Sequence, residues 1–233
     1  MEKTPVQVYM GDEAGIADQR MIFSKAELEK KNVATLLKGR WSKADLFLSE
    51  IDGKKLVLKD FSKKSFVIRF IGRIQIWREE KAYRALGEVD AIPRFYGRPD
   101  PWSLVIEYVD GVRLTHYRGM VPFKALIEEL RRNIDSIHKA GVIHNDIRGR
   151  ENIVVRKDDD KLMILDLAGA MIFKRGGLSY KLFFNVLRKV DDAAYLKWKN
   201  ILSPEDMNDD EKQFLNRFNF LRRFWIFNLK GKR

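Results

Sequence analysis

The segment His144-Asn145-Asp146-Ile147-Arg148-Gly149-Arg150-Glu151-Asn152 is followed by a strand, a turn, a second strand and Asp166-Leu167-Ala168. Two carboxylates and an amide therefore leave one edge of a short hairpin. Phosphoryl transfer needs such groups: a carboxylate to receive the acceptor hydroxyl's proton, oxygen ligands for magnesium, and cations on the phosphates. Asp146 can orient and deprotonate the acceptor, while Asn152 and Asp166 supply hard oxygens to the metal. Arg148, just beyond Asp146, can offset charge developing on the transferring phosphate. Alone, each has a plainer reading, because Asp and Asn favour turns and caps. Their order and spacing carry the weight.

The elements that must hold these groups are read from periodicity and punctuation. Ser24, with Glu27 on its third position, forms a capping box that opens a short helix through about Lys31. Between Val33 and Phe61, Leu46, Leu48, Leu56 and Leu58 alternate around Asp52-Gly53, a pair suited to the positive φ of a tight hairpin. Three antiparallel strands are expected there, the last over Leu56 to Phe61. Phe66 to Leu86 is rich in helix formers and stops at Gly87, so one or two helices should lie against the hairpins. After Pro93 the chain is extended again, and Ser103 to Val109 reads as a buried strand entering a turn at Asp110-Gly111. Behind Pro122, Phe123, Leu126, Ile127, Leu130, Ile134 and Ile137 recur at helical spacing. Ile153 to Val155 and Leu162 to Leu165 form two short strands around Asp158 to Asp160, and from Lys181 onward the pattern is mostly helical.

His-x-Asp with a later Asn, and an Asp after the next hairpin, resembles the protein-kinase-like superfamily over most of the chain. That resemblance implies an α+β, two-lobed protein-kinase-like fold with an antiparallel N-lobe sheet and a short, mostly helical C-lobe. It divides the chain into an extension over 1–32, a nucleotide-binding N-lobe over 33–109 and a catalytic C-lobe over 110–233, with ATP and Mg2+ as cofactors. Lys59 in LVLKDF matches the third-strand lysine that pairs with ATP phosphates and with a helix glutamate. Glu79 is preferred to Glu80 as that glutamate, because Ala82, Tyr83 and Leu86 follow it at inward spacing, whereas Arg84 follows Glu80. Ile106-Glu107-Tyr108-Val109 resembles the hinge, where the backbone of about Glu107 and Val109 would bond adenine. His144 is expected to bond carbonyls near Asp166, and His116 and His138 are read as incidental.

The pattern also departs from that family. No G-x-G-x-x-G is present; Gly39-Arg40-Trp41-Ser42-Lys43-Ala44 stands in its place, so backbone amides and Lys43 must cover the phosphates. Asn152 lies six residues after Asp146, one more than the eukaryotic spacing, so its loop needs a different path. Ala168 occupies the third position of D-F-G and no A-P-E follows, which speaks against a eukaryotic activation loop and its peptide platform. The shortened plan looks like the bacterial lipopolysaccharide kinases, which phosphorylate heptose or Kdo sugars, and like the RIO-type atypical protein kinases. VLKDF, WREEKAYRAL, IPRFYGRPD and AYLKWKNILSPE have the texture of the former. A lipid-linked core sugar is therefore the expected acceptor, with protein Ser/Thr as the alternative.

Composition bounds the rest. The chain has 233 residues, 45% apolar and 33% charged, which excludes collagenous and disordered classes and leaves room for a substantial core. Without cysteine there is no disulfide framework or thiolate metal site. A net charge of +12 points to an anionic partner. Met1 to Arg20 does not read as a signal peptide, and no run reaches the roughly 18 apolar residues of a membrane span, so a cytoplasmic chain is expected, peripheral at most to the membrane's inner face. Lys212 to Arg233 carries seven cations and no acid among six aromatic residues. Such a segment can meet an anionic membrane, stack on single-stranded nucleic acid, or close the C-lobe as a helix with a basic outer face. No motif that reads DNA or RNA accompanies it, so a nucleic-acid-binding module, like a pseudokinase, ranks below phosphotransfer.

Overall fold

Alternating apolar residues around a two-residue turn build the first hairpin, between β2 (Asp45–Ile51) and β3 (Lys54–Asp60). Asp52 and Gly53 take φ values of 50° and 73°, the left-handed pair whose twist matches the flanking strands. With β1 (Asn32–Leu37), β4 (Phe95–Asp100) and β5 (Ser103–Glu107) they form an antiparallel sheet in the order β1-β2-β3-β5-β4. The computed structural model describes residues 23 to 40 and 43 to 223. Expectations placed on Met1 to Arg20, Trp41, Ser42 and 224–233 lie outside them.

Both faces of this sheet are covered. On one, α1 (Lys25–Lys30) starts at the expected cap, with Ser24 Oγ accepting from the Glu27 N–H at 3.2 Å. It buries Leu28 against Ile51, Leu56, Leu58 and Val105, and Lys25 bonds Asp60 and Asp100 at 2.9 Å, so α1 is built into the sheet's own structure. Against the other lies α2 (Phe66–Leu86), one continuous helix that stops at Gly87 with φ 57°. Close approach depends on Gly72, where a Cβ would overlap the Phe61 ring.

The second half is mostly helical. The strand expected to reach Val109 ends at Glu107; Tyr108 still donates to the Lys55 carbonyl of β3 at 3.0 Å, and the chain takes a new partner only at β6 (Gly111–Arg113), which pairs with β8 (Ile153–Arg156). A 3-10 turn (Leu114–His116) leads towards α3 (Phe123–Lys139). Next come β7 (Val142–Ile143), the hairpin of β8 and β9 (Leu162–Ile164), and β10 (Met171–Ile172), which pairs with β7. A π-helical turn (Tyr180–Phe184), α4 (Asn185–Leu187), α5 (Lys189–Leu202) and α6 (Asp209–Arg223) follow. The α3 stripe of Leu126, Ile127, Leu130, Ile134 and Ile137 is buried with Trp198 of α5. That core continues through Ile147 and Leu167 to Ile76, Phe61 and Leu104 beneath the sheet. The expected α+β, two-lobed plan is what the chain adopts. Among the described residues no helix is long and apolar enough to cross a membrane.

Candidate active site

Strand alternation sends Leu56 and Leu58 of β3 towards α1 and Lys59 to the opposite face, beneath α2. Glu79 lies on the inward stripe of α2 with Ile76, Ala82, Tyr83 and Leu86. Lys59 Nζ donates to both Glu79 oxygens, at 2.7 and 2.9 Å, and to Asp166 Oδ1 at 3.1 Å. Glu80 instead bonds Arg84 and Arg98, which settles which glutamate meets the lysine. Burial disfavours the charge on Lys59, but the Glu79 and Asp166 carboxylates outweigh it and hold its pKa above the usual lysine value.

Asp166 follows β9 in the left-handed region, φ 66° and ψ 84°, a conformation tolerated where surrounding bonds enforce it. Its Oδ1 also accepts from the Ala168 N–H at 3.4 Å. Burial opposes ionisation there too, yet Lys59 keeps the carboxyl below the ordinary aspartate range.

His144 follows β7, and the β7–β10 pair lays it beside the chain around Asp166. Its Nε2 lies 3.1 Å from the Leu165 carbonyl, while Nδ1 accepts the Asp146 N–H at 3.3 Å. One acceptor and one donor describe a neutral imidazole, in keeping with burial that lowers its pKa. The expected structural role of His144 is met by these bonds.

Two successive turns carry the chain from Asp146 to Asn152: the Gly149 N–H donates to Asp146 O, and the Asn152 N–H to Gly149 O, both at 3.2 Å. This path accommodates the additional residue of the loop. It folds Asn152 back so that its Nδ2 donates to Asp146 O at 2.9 Å and to Asp146 Oδ2 at 3.0 Å. A Cβ on Gly149 would come within 2.9 Å of that same nitrogen, so glycine there leaves room for the Asn152 amide in this position. Burial raises the pKa of Asp146, with the Asp166 charge acting in the same direction; Asn152, His144 and the Lys43 charge act against it. Lys43 lies in the β1–β2 connection, which is pinned by the Gly39 N–H on Asp45 and by Lys64 on both Asp45 and the Gly39 carbonyl.

Helix α5 grips this loop. Asp191, fully buried, accepts from the N–H groups of His144 and Asn145 at 2.8 Å and from His138 Nε2 at 3.0 Å. Trp198 Nε1 and Lys197 Nζ donate to the carbonyls of Ile147 and Arg148. His138, read as incidental, is thus part of the loop's buried support, and Asp191 was missed. An acid in a helix's first turn reads as a dipole partner from sequence, and its contacts with a distant loop leave no local signal.

The Arg148 guanidinium donates to the Ala193 carbonyl at 3.2 Å and to Asn219 Oδ1 at 3.1 Å, bonds that tie the loop to α5 and α6. Glu107 ends β5, its N–H already donating to the Arg94 carbonyl at 2.8 Å, and Val109 lies in the link to β6. Of the Lys212 to Arg233 segment, the part within α6 packs through Leu215 and Phe214, with Phe220 and Leu221 exposed.

The arrangement therefore brings together Lys59, Glu79, Asp146, Asn152 and Asp166, with Glu107 and Val109 at the inter-lobe link. Because the Asn152 nitrogen is committed to Asp146, its oxygen is the group left to ligate. An amide oxygen and the half-exposed Asp166 carboxylate suit magnesium, which takes its other positions from water and phosphate oxygens. The donor set fits that ion.

No family model matches the chain. Among curated proteins it is similar to "Probable serine/threonine-protein kinase fnkB" of Dictyostelium discoideum, 30% identical over 129 residues. The match takes in 51% of this chain and 24% of that protein, so the chain spans about a quarter of the relative's length. Together with the two-lobed α+β plan, this partial similarity supports placing the chain in the protein-kinase-like superfamily.

Proposed function

We propose that the chain is a phosphotransferase that moves the γ-phosphoryl group of ATP to an alcohol hydroxyl. One observation carries this reading: Lys59, on the sheet, bonds buried Glu79 and, across the lobes, Asp166, so a fixed cation faces the carboxylate assigned to the metal on this reading. On this reading Lys59, oriented by Glu79, holds the triphosphate, and the backbone at Glu107 and Val109 meets the adenine. Asn152 and Asp166 would hold Mg2+, which supplies charge neutralisation on the phosphates when bound. Asp146 orients the acceptor hydroxyl and takes its proton, and Asn152 fixes the carboxylate by bonding Oδ2. His144, neutral and bonded on both nitrogens, acts through the backbone of this loop and moves no proton.

The acceptor we propose is a sugar hydroxyl of a lipid-linked core, as the resemblance to bacterial lipopolysaccharide kinases implies. A protein serine or threonine is the second reading, favoured by the partial similarity to the probable serine/threonine-protein kinase of Dictyostelium. Incubating the protein with labelled ATP and either lipopolysaccharide core or protein extract separates the two. Label in the core lipid alone is the expected outcome; label in protein alone overturns the sugar assignment.

A further inference from the structure

Helix α2 is apolar on two sides. Its inner side packs under the sheet through Ile76, Ala82, Tyr83 and Leu86. Its outer side carries Phe66, Val67, Phe70, Ile71, Ile74 and Trp77, between 42% and 77% exposed. Phe66, Phe70, Ile74 and Trp77 follow one another at one-turn intervals, so they make a stripe rather than scattered residues. Single exposed apolar residues need no explanation, but a contiguous set of this size marks a contact surface.

Charge says what kind. From Phe61 to Arg78 the chain has five cations and no acid. Lys64 is committed to Asp45, Arg69 lies over the Trp102 ring and Lys63 pairs with Glu29 at 3.6 Å, while Arg73 and Arg78 stay at the exposed surface around the stripe. Lys81 Nζ sits 3.7 Å from the centre of the Trp77 ring.

A second surface of the same composition adjoins it. From Leu167 to Val190 there are again five cations and no acid. Leu178, Leu182, Phe183 and Val186 are 54% to 73% exposed in this stretch. The two surfaces meet where Arg78 donates to the Ala170 carbonyl and α2 packs on β10, whose Ile172 is itself exposed.

We propose that these two apolar, cation-flanked surfaces dock on an anionic lipid bilayer, the apolar side chains entering the interface and the flanking cations meeting lipid phosphates. Apolar groups and cations interleave around one helix, so a single partner must satisfy both, which anionic headgroups above an acyl region do. A second copy of this chain would bring like charge against like charge. A polynucleotide would meet the cations but leave Val67, Ile71 and Ile74 in water. The docking surface is built from residues other than the C-terminal segment and stands without the phosphotransfer reading, because lipid binding and turnover are measured separately.

The test is sedimentation of the full chain with vesicles of phosphatidylcholine mixed with phosphatidylglycerol, beside vesicles of phosphatidylcholine alone. Binding should favour the anionic vesicles and weaken with added salt. Phe70→Ser with Trp77→Ser should lower partitioning about tenfold or more, and Leu182→Ser with Phe183→Ser should act likewise. Arg73→Glu should lower it about fivefold on anionic vesicles only. Thermal midpoints should stay unchanged, since these side chains are exposed. Equal binding by parent and α2 variants would overturn the proposal and move any lipid contact to another segment. So would binding to neither vesicle, which leaves a protein partner. Self-association that Phe70→Ser with Trp77→Ser abolishes and vesicles fail to compete with would assign the face to a second copy instead.

Discussion

A buried ammonium between two carboxylates is stable only while all three charges persist. Lys59→Met would leave the Glu79 carboxylate buried without its cation, and a loss of about 3–5 kcal/mol in urea unfolding is expected. Adding Glu79→Leu should restore most of it, and a double variant no more stable than Lys59→Met would contradict the pairing. The pH dependence follows from the direction of each shift. The pKa of Lys59 is raised, so its contribution to stability is whole below the ordinary value of 10.5 and disappears as pH rises through the higher folded value. That of Asp166 is lowered, so its contribution is whole above 3.8 and is lost as pH falls through the lower folded value. Asp146 behaves oppositely: burial raises its pKa, so the acid limb of turnover should lie above 3.8, and a limb at or below that value would exclude it as the proton acceptor. The contacts of Lys59 with Glu79 and Asp166, and of Asn152 with Asp146, were legible because these residues stand in the order and spacing from which they were expected. The bonds of Arg148 to α5 and α6 were not, since nearness to Asp146 along the chain does not say where a long, flexible guanidinium side chain ends. Asp191 was illegible because its partners are backbone N–H groups about 46 residues away, a proximity made only by tertiary packing.

At the scale of elements, α2 and α5 decide the site's shape. Gly72 lets α2 settle on Phe61, so two effects compete in Gly72→Ala: helix propensity favours alanine by about 1 kcal/mol, whereas overlap in a packed core costs about 1–3 kcal/mol. Net destabilisation is expected, and a variant at least as stable as the parent would mean that Phe61 moves aside. Asp191→Ala removes the acceptor of three donors, His138, His144 and Asn145, at a cost of about 3 kcal/mol or more if they stay buried. Urea unfolding measures this, and a midpoint unchanged from the parent would mean that α5 does not hold the loop. The bounds of α2 were legible from its run of helix formers closed by Gly87, and the stripe of α3 from one periodicity repeated over several turns. The loop from Asp146 to Asn152 was not, because its two turns take their course from α5, whose Trp198 and Lys197 hold the Ile147 and Arg148 carbonyls. The end of β5 was missed for a similar reason: the β-forming pattern runs on to Val109, and the new pairing of β6 with β8 depends on which strand lies alongside.

Across the whole molecule, the lobes are joined by one continuous core, by the Lys59–Asp166 bond and by the Arg78 contact to Ala170. The charge of +12 is concentrated in acid-free stretches rather than in the cleft, where carboxylates balance Lys59. The two proposals thus assign the charge separate tasks, neutralising phosphates inside and meeting an anionic surface outside. The two-lobed plan was legible from the order of motifs, whereas the outward face of α2 was not, since a helix apolar on both sides reads in sequence as one that is wholly buried. The central claim is that Asp146 takes the acceptor proton in transfer of the γ-phosphoryl group. Its most direct test is transfer of label from ATP to acceptor, with magnesium, by the parent chain and by Asp146→Ala, nucleotide binding being measured alongside. The account predicts that Asp146→Ala binds nucleotide nearly as the parent does but transfers about a hundredfold to ten-thousandfold more slowly. Transfer at the parent's rate would contradict it.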